Sequence, residues 1–259
     1  MEEDLRIAIV QAPIWWEDRD KNLDYYHERI RPLAGTTDLV VLPETFTTGF
    51  SMQVERLADT MDGPSVLAMK EWASRYRLAV AGSMIMRVGE NYFNRFLFVT
   101  PDGVCRFYDK RHLFRMAQED RYFTAGATRT LVQWKSWNIC LQVCYDLRFP
   151  VWSRNIGNEY DLLLYVANWP EARKLAWKTL LPARAVENLA YVCGVNRIGA
   201  DGKGFNYSGD SMIVSPKGEI LADAGNKEEV LTFLLKKSDL SKIRAKFPVW
   251  KDADVFRLE

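Results

Sequence analysis

Short apolar runs that stop abruptly at polar or turn residues punctuate the whole chain. Residues 5–12 (LRIAIVQA) form the first, closed by Pro13, and residues 38–42 (DLVVL), 78–86 (LAVAGSMIM), 137–143 (WNICLQV), 161–167 (DLLLYVA) and 191–196 (YVCGVN) follow. Runs of this length are too short for buried helices and read as buried strands. Residues 92–100 and 104–108 flank Pro101-Asp102-Gly103 as an antiparallel hairpin, and 129–134 pairs with 137–143 in another. Helical spacing separates the strands. Leu23, Tyr26 and Ile30 fall three and four apart before Pro32 and Gly35, and Val66, Met69, Trp72, Ala73 and Tyr76 share one face after Pro64. Residues 171–190 are helical in composition, with Pro182 expected to kink or split the helix. Gly202 and Gly204 predict a flexible loop. Residues 211–215, 219–222 and 230–235 read as three further strands, turning at Pro216-Lys217-Gly218, before a short helix at 238–245. There is no linker, low-complexity run or internal repeat. Strands alternating with helices, interrupted by hairpins, predict one α/β domain over 1–259 with a mixed sheet or two sheets and helices outside. The aperiodic tail, about 247–259, is expected to pack on the domain or on a partner subunit.

Composition narrows the partners. A hydrophobic fraction of 48%, a charged fraction of 27% and a net charge of +1 describe an ordinary globular protein with no global field for nucleic acid or anionic lipid. Nine Trp residues point to an aromatic core or cleft. The four cysteines, Cys105, Cys140, Cys144 and Cys193, form no Cys-x-x-Cys pair, and with only two His a zinc site is not expected. The acidic start, Met1-Glu2-Glu3-Asp4, lacks the character of a signal peptide. No apolar run reaches the roughly 20 residues of a membrane span. The expected compartment is the cytoplasm, with thiols reduced. No glycine-rich phosphate loop follows a strand, so no cofactor is expected.

Three residues change the picture. Cys144 ends the 137–143 strand, Glu44 follows the 38–42 strand within Leu42-Pro43-Glu44, and Lys110 follows the 104–108 strand. Taken singly they are ordinary: a strand-end Cys is commonly a small core hydrophobe, a Glu a cap or surface charge, a Lys a solvated loop residue. Together they complete a set for acyl transfer through a thioester. A free thiol with a pKa near 8.5 is only a few per cent thiolate at pH 7. Lys110 would favour the thiolate and Glu44 could take its proton. Lys110 and the backbone N–H of Tyr145 are candidates to hold the oxyanion. Of the two histidines, His27 lies on a predicted surface helix, while His112, two residues from Lys110, could line the site.

The segments LPETFTTGF, YDKRHLF, VCYDLRFP and RAVENLAYV resemble the nitrilase, or carbon–nitrogen hydrolase, superfamily across nearly the whole chain. That resemblance implies a Glu44–Lys110–Cys144 triad, with Glu119 as a second glutamate that positions substrate and lysine. It also implies a four-layer α-β-β-α sandwich, two mixed sheets with helices outside, in a homodimer or larger assembly. CYDLRFP, DKRHLFRM and YVANWP are most similar to bacterial omega-amidases, which release ammonia from the terminal amide of 2-oxoglutaramate and 2-oxosuccinamate. Hydrolysis of an N-carbamoyl amine or of deaminated glutathione, and a non-enzymatic binding role, are the alternatives. A redox pair with Cys140 is a weaker one. A keto acid amide needs its carboxylate held, which suits Arg. Arg111, Arg115, Arg148 and Arg173 are the candidates, with Arg148 also expected to pair with Asp146. Phe46, Tyr145, Asn168 and Trp169 are candidates for shaping the pocket.

Overall fold

The structure is a computed structural model, described here for residues 3–256. The first sheet contains β1 (Leu5–Gln11), β2 (Leu39–Val41), β3 (Ala79–Val88), β4 (Asn91–Val99) and β5 (Cys105–Asp109). The second contains β6 (Leu131–Trp134), β7 (Trp137–Val143), β8 (Leu162–Ala167), β9 (Tyr191–Asn196), β12 (Met212–Val214) and β13 (Ile220–Asp223). A two-stranded hairpin, β10 (Ile198–Ala200) with β11 (Asn206–Ser208), stands apart, and β14 (Glu229–Leu235) joins the first sheet. The sheet orders are β14-β1-β2-β3-β4-β5 and β13-β12-β9-β8-β7-β6. Each is mixed: β1-β2-β3 and β7-β8-β9 run parallel, and antiparallel strands flank them.

Strand alternation separates the layers. Successive side chains point to opposite faces of a sheet. Ile7, Ile9, Val41 and Phe98 therefore meet Ile139, Leu141, Val143 and Leu164 in one core between the sheets. Their neighbours Ala8, Val10, Val40 and Val80 turn outward against α1 (Arg19–Ile30) and α3 (Pro64–Tyr76). On the other side Cys140, Leu163, Tyr165 and Val192 pack under Trp177, Leu181 and Ala185 of α5 (Lys174–Asn188). The result is the expected α-β-β-α sandwich. Burial on both faces is why these strands read as continuous apolar runs.

The strand expected at residues 230–235 is present as β14; it crosses to the other sheet and pairs antiparallel with β1 from Leu5↔Leu235 to Gln11↔Glu229. Other expectations are corrected. Pro182 does not split α5. The helix is continuous from Lys174 to Asn188, because Trp177, Leu181, Ala185 and Asn188 hold a buried stripe on both sides of the proline. The cost is one hydrogen bond to the carbonyl four residues back. The glycine-containing segment near Gly202 is the tip of the β10–β11 hairpin. Leu23 is only partly buried, and Asn22 takes its place with Tyr26 and Ile30 on the inner face of α1. Short helices α2 (Val54–Leu57) and α4 (Pro150–Ser153) had no periodic signal. After α6 (Lys237–Lys246), a 3-10 turn at Val249–Asp252 lies against Ile156–Asn158, while 257–259 of the expected tail fall outside the described residues. Among the described residues no helix is long and apolar enough to cross a membrane.

Candidate active site

Both sheets deliver side chains to one point. Cys144 directly follows β7 and Asn168 directly follows β8, while Glu44 lies three residues beyond β2. All three leave the carboxyl ends of parallel strands, where α/β sheets place their ligands. Lys110 extends β5 by one residue, its N–H bonded to the Asn94 carbonyl at 3.0 Å. The glutamate turn is fastened to β3, with Thr45 N–H donating to Ser83 Oγ at 2.9 Å and Phe46 N–H to the Ser83 carbonyl at 3.1 Å. Both elbows carry a residue in the left-handed region, Thr45 at φ 43° and Cys144 at φ 45°. Non-glycine residues pay local strain there, which concentrates at functional sites. Gly126 secures the Lys110 loop. Its N–H bonds the Lys110 carbonyl at 2.9 Å, and a Cβ would sit 2.0 Å from the Asp109 carbonyl oxygen.

The charges form one network. Lys110 Nζ lies 3.0 Å from Glu44 Oε1 and 3.0 Å from both Glu119 oxygens. Asn94 Nδ2 donates to Glu44 Oε1 at 2.7 Å, Asn168 N–H donates to Glu44 Oε2 at 2.6 Å, and Phe114 N–H donates to Glu119 Oε2 at 2.5 Å. Asn168 also touches the thiol, its carbonyl 3.9 Å from Cys144 Sγ. Glu44, Lys110 and Glu119 are buried. Burial alone would discharge the Lys110 ammonium, but the Glu119 and Glu44 carboxylates outweigh it and raise its pKa above the usual range. Burial raises Glu119, against the pull of Lys110. The Cys144 thiol is pushed well up by burial and then by the Glu44 charge, with Lys110 opposing. A thiol pushed up in this way would need a base before it could act as a nucleophile.

A cavity of about 280 Å³ opens onto this network. Glu44, Lys110, Cys144 and Asn168 form its floor. Phe50, Phe114, Tyr145, Trp169, Pro170 and the buried Tyr207 wall it, and Arg148, Arg173, Lys203 and Phe205 stand toward its mouth.

The chain matches the carbon–nitrogen hydrolase family over residues 6–245. It is 47% identical over 255 residues to an omega-amidase of Escherichia coli K12, YafV, covering 98% of each chain. It is 32% identical to a 2-oxoglutaramate amidase of Bacillus subtilis, covering 95% of this chain and 96% of that one. The crystal structure of XC1258 from Xanthomonas campestris, a CN-hydrolase superfamily protein with an arsenic adduct in its active site, superposes with a TM-score of 0.97. It is 46% identical, and the match covers 99% of this chain and 100% of that one. The chain belongs to the carbon–nitrogen hydrolase family. It is an amide-hydrolysing enzyme.

The hydrolase cavity gathers some of the expected residues and leaves others out. Tyr145, Arg148, Asn168, Trp169 and Arg173 line it. Phe46 does not: it is fully buried against Tyr26, with ring centroids 5.4 Å apart, and belongs to the core. Arg115 is on the surface, its side chain 87% exposed. Arg111 donates to the Gly126 carbonyl and covers Trp152, outside the cavity. His112 is engaged elsewhere, its Nδ1 2.7 Å from Asp146 Oδ1 and its ring stacked on Phe149. Asp146 therefore does not pair with Arg148. The Arg148 guanidinium lies over the Trp169 ring, 5.1 Å from its centroid, and Arg173 lies over Phe114 at 5.0 Å. Among the described residues neither arginine has a carboxylate partner. All four cysteines are free, and Cys140 faces the α5 core. Sequence reasoning missed Asn94, Phe50 and the β10–β11 residues Lys203, Phe205 and Tyr207. The Gly202–Gly204 turn was their one signal.

Proposed function

We propose that the protein hydrolyses the terminal amide of a 2-oxo dicarboxylic acid monoamide, such as 2-oxoglutaramate or 2-oxosuccinamate, to the 2-oxo acid and ammonia. The observation that carries this reading is the pairing within one small cavity of a part-buried thiol and a buried carboxylate–ammonium pair with two guanidiniums that, among the described residues, no carboxylate neutralises. An omega-amide of a keto acid presents an amide at one end and a carboxylate at the other. The similarity to an omega-amidase and a 2-oxoglutaramate amidase supports the same choice.

In this reading Glu44 takes the Cys144 proton as Sγ attacks the amide carbon. The oxygen of the tetrahedral intermediate meets the Lys110 ammonium and the N–H of Tyr145. Each such donor is worth about 2.7–4 kcal/mol of barrier. Glu44 returns the proton to the nitrogen, the C–N bond breaks and ammonia leaves. Water then attacks the thioester with Glu44 again as base, the C–S bond breaks and the thiol is restored. Glu119 keeps Lys110 charged and in place. Arg148 and Arg173 hold the keto acid carboxylate, and Tyr145, Asn168 and Trp169 shape its bed. The working unit is a single domain in a cytoplasmic homodimer or larger assembly.

Ammonia release from 2-oxoglutaramate, measured beside glutamine, an N-carbamoyl amine and a deaminated glutathione, tests the proposal. Fast release from the keto acid amide that is absent in Cys144→Ala is the expected result. Release from another amide alone would overturn the substrate, and release by Cys144→Ala would overturn the mechanism.

A further inference from the structure

The network described above holds Lys110 against two glutamates and reaches Cys144 only through the Asn168 carbonyl at its thiol. A direct tie between Lys110's loop and Cys144's elbow lies one layer further out, at a carboxylate the chemistry does not use. Asp146 is fully buried and accepts four hydrogen bonds. Its Oδ2 takes Val143 N–H at 3.0 Å and Tyr108 O–H at 2.8 Å. Its Oδ1 takes His112 N–H at 3.0 Å and sits 2.7 Å from His112 Nδ1. Val143 immediately precedes the nucleophile, and Tyr108 and His112 stand two residues to either side of Lys110. One side chain thus pins both flanks of the lysine to the start of the cysteine elbow.

The donors around Asp146 are fixed. Two are backbone N–H groups. The Tyr108 oxygen already accepts from Arg111 N–H at 3.1 Å and Trp152 Nε1 at 2.9 Å, so its own hydrogen can only go to Asp146. Stacking on Phe149, with centroids 3.8 Å apart, orients the His112 ring so that Nδ1 faces the carboxylate. Every neighbour is a donor, and only an acceptor on both oxygens satisfies them. An asparagine of the same shape must aim its NH₂ at one donor pair.

We propose that Asp146, through His112 and Tyr108, is a positioning residue that sets the Lys110 ammonium relative to Cys144 Sγ for acylation. It rests on the assignment of Cys144 as nucleophile and Lys110 as oxyanion donor given above. Misplacement of reacting groups by about 1 Å costs on the order of 100-fold. In Asp146→Asn, kcat should fall about 100-fold while KM for the amide stays within about twofold. Cys144 alkylation by iodoacetamide should slow in parallel, because it reads the thiol's placement without any substrate. A pair at His112 separates the hydrogen bond from the packing. His112→Asn retains a donor near the Nδ1 position and loses the stack; His112→Phe retains the stack and loses the donor. His112→Asn should stay within a few-fold of wild type and His112→Phe should lose at least tenfold in kcat. Equal kcat in the two His112 variants, or wild-type kcat in folded Asp146→Asn, would overturn the proposal. Should Asp146→Asn not fold, the His112 pair decides. If Cys144→Ala itself remained active, the site assignment would fail; a dead Cys144→Ala beside an unaffected His112→Phe would sink this inference alone.

Discussion

The two ends of the cavity treat charge in opposite ways. At the floor, Lys110 meets two carboxylates at 3.0 Å, and those carboxylates take further bonds from Asn94, Asn168 and Phe114. At the mouth, Arg148 and Arg173 rest on aromatic faces, and among the described residues neither is paired with a carboxylate. Buried ions are tolerated only when well paired, so the floor has to be complete before substrate arrives. The half-open mouth leaves guanidiniums partly hydrated and free to take a partner. Stacking fixes where an arginine sits without using its hydrogen-bonding edge, so the mouth is aimed and unsatisfied at once. In the proposed reaction the floor serves the chemistry and the mouth the recognition of substrate.

This contrast can be broken at several strengths. Cys144→Ala should lower kcat by about 10⁴–10⁶-fold with little change in melting temperature, since one sulfur leaves a part-buried site. Glu119→Gln should lower kcat by about 10²–10³-fold while KM moves little. It should also melt at lower temperature, because Lys110 loses one of its two buried anions; turnover like wild type would reduce Glu119 to a loop charge. Arg148→Ala and Arg173→Ala should act at the other end. Loss of a charged hydrogen bond is worth about 1.5–3 kcal/mol, so KM for 2-oxoglutaramate should rise about 10–100-fold. Hydrolysis of propionamide, which has no carboxylate, should be nearly unchanged in both. Equal losses on the two amides would end the division between floor and mouth.

The smallest effect concerns a paired charge far from the cavity. Burial pushes the Asp38 carboxyl up, but hydrogen bonds from Arg6 and Lys135 outweigh it and bring its pKa down to about 2. A carboxylate depressed in the folded state contributes stability that is full above its unfolded pKa of about 3.9 and fades as pH falls toward 2. Solvent screening at the half-exposed Arg6 side chain limits this to about 1 kcal/mol. Asp38→Asn should therefore lower the melting temperature at pH 7 by a few degrees at most, narrow its fall between pH 4 and 2, and leave kcat unchanged.

The floor was legible in the sequence because its members sit at the ends of apolar runs. Glu44, Lys110 and Cys144 interrupt hydrophobic patterns, and a break in a pattern is a local signal. Asn94 carries no such signal, because it lies within β4 and acquires its role only when β4 pairs beside β5. The arginines illustrate the same limit. Four lay near the site in sequence, but only the fold places Arg148 and Arg173 on the cavity, with Arg115 outside. Proximity of Asp146 to Arg148 suggested a pair, whereas the 3-10 turn at Cys144–Arg148 buries the aspartate and turns the arginine outward to Trp169. Strand assignment was likewise readable for residues 230–235, and sheet assignment was not. Periodicity reports burial, not which partner does the burying.

The crossing of β14 has a consequence for the order in which this enzyme comes into being. β1 is made before the other described strands, and its partner across all seven positions is the last of them. Until Leu235 leaves the ribosome, the first sheet carries a raw edge of unpaired backbone, the kind of edge that recruits other chains. Long-range pairing of this sort closes slowly. A nascent chain halted after Asp223 would hold Glu44, Lys110, Glu119 and Cys144 and still expose that edge. This strand thus works as a seam, and it is sewn only after every member of the proposed catalytic set has been made.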